Sequence, residues 1–129
     1  MKSFAKFITI DVPEFDVLLI VNDKQENVMK AIDDHIINTK EKRETKKDIK
    51  KVMEEWIGWC YIYVKKWFSR ILLLTGWKNN WEHWDYLNHE INHLVEYEAE
   101  ERWFQEEKEF KAYMQVWLFK KFREILKTI

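Results

Sequence analysis

Residues 87–98 read LNHEINHLVEYE and contain His89-Glu90-Ile91-Asn92-His93, an H-E-x-x-H pattern. On a helix turning about 100° per residue, His93 stands about 40° round from His89 and Glu90 about 100°. Two imidazoles one turn apart can share one zinc ion. The glutamate beside the first can reach a zinc-activated water without itself ligating. Leu87, Ile91 and Leu94 fall between about 140° and 200°, so the apolar face of such a helix points away from the histidines. The competing reading is bland. A chain with four histidines and sixteen glutamates produces this pattern by chance at a low but real rate, on the polar face of an ordinary amphipathic helix.

Two histidines do not complete a catalytic zinc site, which usually takes three protein ligands. Glu96 and Glu100 continue the histidine row, but ligands in one straight row make a poor tetrahedron. Glu96 and Ala99 also stand where an H-E-x-x-H-x-x-G-x-x-H pattern needs glycine and histidine. The third ligand must then come from another element, and EEKEFKAYM (106–114) offers Glu106, Glu107 and Glu109. If 80–127 were one rod, His93 and Glu109 would lie about 24 Å apart. The zinc reading therefore requires a chain reversal near 98–103. A turn centred near 100 or 101 sets 91–93 opposite 107–109, which favours Glu109 or Glu107. Tyr113 and His83 are candidate oxyanion donors, with Tyr113 expected in the core. Asp85, Glu96 and Glu100 are candidate partners for the second ring nitrogens.

The elements that must position these residues follow from hydrophobic period. FAKFITI (4–10) and DVLLIV (16–21) predict a hairpin around Pro13. Asp23 is a candidate cap for a helix over 24–38, with Val28, Ile32 and Ile36 on one face. Ile49, Val52, Met53 and Trp56 predict a second helix near 43–56. WCYIYV (59–64) and FSRILLLT (68–75) follow Gly58 as a second hairpin, with Cys60, Ile62 and Val64 on its buried face. Either hairpin strand is a candidate edge for an extended peptide. After Gly76, Asn79 or Asn80 can cap a third helix over about 80–98, and the last helix covers about 103–127. That last helix carries apolar residues almost all round, among them Trp103, Phe104, Tyr113 and Trp117, and must be covered on most sides. The order ββααββαα predicts an α+β fold, two hairpins in one small sheet with about four helices, in a single domain over 1–129.

Two of these stretches together resemble a known group. HEINH (89–93) after a β-hairpin, followed by EFKAYM (109–114), resembles the small gluzincin-type zinc metallopeptidase-like proteins of phages and gut bacteria. The resemblance covers most of the chain loosely; only the two motifs are specific, and the glycine- or aspartate-containing loop common between the two helices is missing. It implies a zincin-like domain with one Zn²⁺ per chain held by His89, His93 and Glu109. It also implies peptide-bond hydrolysis with Glu90 as general base on a peptide or protein substrate. A non-catalytic zinc-binding or phage-encoded interaction module is the alternative.

Composition narrows the remaining classes. Net charge is −1, and the basic run TKEKRETKKDIKK (39–51) has no interleaved aromatics, so it reads as a solvated face and no nucleic-acid partner is expected. The longest apolar run, ILLLTGW (71–77), is too short for a bilayer, and no membrane partner is expected. The single cysteine, Cys60, excludes an internal disulfide and suggests a reducing, cytoplasmic setting, inside the host cell if the chain is phage-encoded. Monomer and homodimer are both compatible with the aromatic last helix.

Overall fold

The computed structural model describes residues 4–11, 14–22, 24–55, 60–64, 70–101 and 106–127. The fold is α+β. Its order is β1 (Phe4–Asp11), β2 (Glu14–Val21), α1 (Gln25–His35), α2 (Thr39–Glu55), β3 (Cys60–Val64), β4 (Arg70–Leu74), α3 (Trp81–Glu101) and α4 (Lys108–Leu126). The chain divides into two compact units, Lys2–Trp77 and Lys78–Ile129. The expectations placed on Asp23, Trp56, Gly58, Trp59, Trp103, Phe104 and the side chain of Cys60 lie outside the described residues.

The first unit is a four-stranded sheet in the order β1-β2-β4-β3. Both expected hairpins form: β1 pairs with β2 and β3 with β4, each antiparallel. They join through a parallel β2–β4 pair, with Val17 opposite Arg70 and Val21 opposite Leu74. A parallel neighbour needs a long crossover, and α1, α2 and β3 supply it. The central strands are buried continuously and not alternately: Val17 to Val21 and Ile71 to Leu74 are all at most 1% exposed. Such runs mark strands buried on both faces. Being interior, β4 has no free edge, which removes it as a strand-addition site; β3 stands at the sheet edge.

One sheet face is closed by helices. Leu18, Ile20, Ile71 and Leu73 form a core with Val28 and Ile32 of α1, Ile36, and Ile49 of α2. Helix α1 ends at His35, short of the expected 38, yet Ile36 stays buried as the C-cap, its N–H donating to Ile32 O at 2.9 Å. Helix α2 begins at Thr39, before the expected 43, because Asn38 caps it: Oδ1 accepts from Glu41 N–H at 2.9 Å. The sheet is left through Gly76, whose φ of 60° is the left-handed region where glycine carries no steric cost.

The second unit is the α3/α4 helical hairpin. The chain reverses, as the zinc reading requires, but α3 runs to Glu101, past the expected 98. Ala99 extends its buried apolar row of Leu87, Ile91, Leu94 and Val95, so the helix has reason to continue, and Glu98 is buried beside it. Helix α4 is less covered than its sequence suggests. Met114, Leu118, Phe122 and Leu126 are buried, but Tyr113 is 71% exposed and Val116 54%, so Tyr113 is not a core residue.

Candidate functional site

Asn80 starts the helix that carries the site. Its Oδ1 accepts from His83 N–H at 2.9 Å and its carbonyl from Trp84 N–H at 3.1 Å. This is the side-chain cap expected of asparagine, and it satisfies a helix N–H that has no carbonyl partner. Lys78 N–H donates to His83 Nδ1 at 3.2 Å, closing the turn from the other side. His83 is thereby engaged at the start of α3, six residues before His89.

Leu87, Ile91 and Leu94 are buried while His89 and His93 are exposed, so the helix faces are as the periodicity predicts. The two imidazoles converge. His89 Nε2 and His93 Nε2 lie 3.1 Å apart, with ring centroids 4.6 Å apart and planes at 90°. In the absence of metal, one ring must carry the Nε2 proton and the other accept it. Tyr97 stacks on His93 at 6.4 Å, continuing the row by one more turn.

The same separation suits a chelate. Two nitrogens bound at 2.0–2.1 Å with a tetrahedral angle stand about 3.3–3.4 Å apart. The observed 3.1 Å is within a few tenths of an ångström of that. Glu90 is half-buried, and burial raises its carboxyl pKa above the ordinary glutamate range. The neighbouring His93 and His89 act in the opposite, lowering direction. A raised pKa is what a general base acting near neutral pH needs.

The third ligand is where geometry and expectation part. Trp84 meets Phe119, Asn88 meets Gln115, and Glu96 meets Lys111. The first two pairs average to position 101.5 and the third to 103.5, at or just past the expected 100 or 101. His93 is therefore level with about 110–114, and 107–109 face positions further along α3. Gln115 Nε2 donates at 2.8 Å to both Asn88 O and Asn88 Oδ1, and Lys111 Nζ sits 3.3 Å from Glu96 Oε1. Glu109 stands about 120–160° round α4 from Gln115 and Lys111 and is exposed. It occupies the first turn of α4, where a carboxylate favours the helix dipole. Among the described residues no group of three His, Cys, Asp or Glu is placed to hold a metal, so Glu109 is not brought to the histidines. Glu106 and Glu107 are exposed at the same end.

A groove of about 580 Å³ runs between α3 and α4, lined by His89, Asp85, Asn88, Asn92, Lys111 and Gln115 among others. His89 forms part of its wall; His93 does not. The groove mixes amides with charges of both signs, and sequence reasoning missed it because the residues facing each other depend on the helix register. Of the carboxylates expected as partners of the ring nitrogens, Asp85 and Glu96 line this groove with His89, and Glu96 also pairs with Lys111. Among the described residues, no helix is long and apolar enough to cross a membrane. Comparison of the chain with protein-family models, with curated proteins and with solved structures returned no match.

Proposed function

We propose that this protein binds one zinc ion through His89 and His93, and that Glu90 serves as general base in a zinc-dependent hydrolysis of peptide bonds. The observation that supports this reading is the 3.1 Å approach of the two Nε2 atoms on the exposed face of α3. Their separation is already close to that of a chelating pair. Bound there, zinc supplies Lewis acidity toward a carbonyl and makes water a better nucleophile near neutral pH. Glu90 would take the proton of the attacking water and return it to the leaving amine. Asn88, Asn92 and Gln115 line the adjoining groove, where amides can meet the backbone groups of a peptide.

One observation favours the narrower reading, a zinc-binding module without catalysis. Helix α4 turns Lys111 and Gln115, and not a carboxylate, toward α3. On that reading zinc binds with open positions, and hydrolysis awaits a third ligand, for which Glu109 remains the candidate the motif resemblance supplies.

The experiment is elemental analysis of chain purified without chelator, paired with mass spectrometry of a peptide pool. Zinc near one per chain that is lost in His89→Ala, with cleavage lost in Glu90→Gln, supports the enzyme. Zinc without cleavage leaves the binding module. Absence of zinc even after reconstitution removes both.

A further inference from the structure

A separate cavity of about 540 Å³ opens at the start of α3, lined by Asn79, Asn80, Trp81, Trp84, Phe119 and Arg123. It shares no lining residue with the histidine groove, and its volume lies in the range of small-molecule sites. Two indoles three residues apart face the same side of α3, and Phe119 and Arg123, four apart, share a side of α4.

The two tryptophans are held differently. Trp84 is fixed: its indole N–H donates to Asn79 Oδ1 at 2.7 Å, and its ring meets Phe119 edge-on at 6.1 Å. Trp81 is 86% exposed and touches no other ring among the described residues. A helix-start tryptophan left this open beside an anchored aromatic pair offers a face to a flat apolar group.

The polar groups favour an anion. The side-chain acceptors are engaged: Asn79 Oδ1 by Trp84 and Asn80 Oδ1 by His83 N–H. What remains without a partner among the described residues are donors: the Asn79 and Asn80 amide nitrogens, the Trp81 indole N–H and the Arg123 guanidinium. No carboxylate lines the cavity. Of the acids adjoining lining residues in sequence, Glu82, Asp85 and Glu124, Glu82 accepts the Tyr86 hydroxyl one turn further on at 2.6 Å, and Asp85 lines the histidine groove. The positive end of the 21-residue helix α3 adds to the same sign. The one full charge on the lining is the Arg123 guanidinium, which suits a ligand that brings acceptors and negative charge.

We propose that this cavity binds an aromatic carboxylate, its ring against Trp81 and the Trp84–Phe119 pair and its carboxylate on Arg123 and the two asparagine amides. The ligand is either a free aromatic acid or the C-terminal aromatic residue of a peptide. The site is independent of zinc.

The test follows the indole N–H resonances of the full chain by ¹⁵N-correlated NMR, with Trp81→Phe and Trp84→Phe identifying their signals among the eight tryptophans. Phenylacetate is expected to shift both signals saturably. Phenylacetamide, which has the ring without the charge, is expected to bind about tenfold more weakly, as is phenylacetate to Arg123→Gln. N-acetylphenylalanine binding several-fold tighter than phenylacetate assigns the peptide C-terminus, and equal binding assigns the free acid. Absence of saturable shifts at Trp81 and Trp84, or equal affinity for acid and amide, overturns the proposal. Because the acid–amide comparison uses the unaltered protein, misfolding of a variant cannot rescue it.

Discussion

Everything proposed for α3 depends on how that helix begins, and Asn80 is the residue to perturb. Two of the first N–H groups of α3 are satisfied by Asn80: His83 N–H by the side chain and Trp84 N–H by the carbonyl. Asn80→Ala removes only the first of these. Loss of an asparagine N-cap costs about 1 kcal/mol, within about 0.5–2 kcal/mol. For a chain of 129 residues, that corresponds to a fall in Tm of roughly 3–5 °C. Asn80→Asp keeps the acceptor and adds a negative charge at the positive end of the helix, worth about 0.3–1 kcal/mol, so it should match or exceed the parent. Urea denaturation followed by far-UV circular dichroism reads both variants. An Asn80→Ala chain as stable as the parent, or an Asn80→Asp chain as weakened as Asn80→Ala, would show that the side-chain acceptor does not hold this helix start.

Ile32→Ala should cost about 2–5 kcal/mol, seen as a lower urea midpoint, because Ile32 is fully buried among Leu18, Ile49 and Ile71; a loss under about 1 kcal/mol would contradict the core assignment. Glu90→Gln should stabilise the metal-free chain at neutral pH. The Glu90 carboxyl has a raised pKa in the fold, so its contribution is intact below the ordinary glutamate value and is lost as pH rises through the folded value; the gain from glutamine should therefore vanish on acidification. Lys111→Ala should change stability by less than about 1 kcal/mol, since its pairing with Glu96 is at the surface; a larger loss in a urea melt would mean the pair sets the helix register.

The elements were legible where period alone decides them. Val28, Ile32 and Ile36 marked one helix face, the two β-rich pairs marked hairpins, and Leu87, Ile91 and Leu94 set the histidines on the outside of α3. Helix ends were legible only in part. Asn80 is among the expected caps, but Asn38 is not legible as one, because the first turn of α2, TKEK, has no apolar residue to announce it. The parallel β2–β4 contact was not legible, because hairpin rules speak only to neighbours in sequence. The site divides along the same line. His89 and His93 lie on one helix, so spacing fixes their meeting. Glu109 lies on another, and a shift of a residue or two in the pairing of the helices changes which α4 residues stand level with the histidines. The aromatic cavity has the same character: Trp81 and Trp84 are visible as a pair, but Phe119 and Arg123 join them only through the register of the hairpin.

The central claim is that His89 and His93 form a preorganised pair for one zinc ion. Isothermal titration of the metal-free chain with zinc near neutral pH tests it most directly. The account predicts saturation at one zinc per chain, abolished in both His89→Ala and His93→Ala. Absence of saturable heat in the parent, or an unchanged isotherm in either variant, would contradict it.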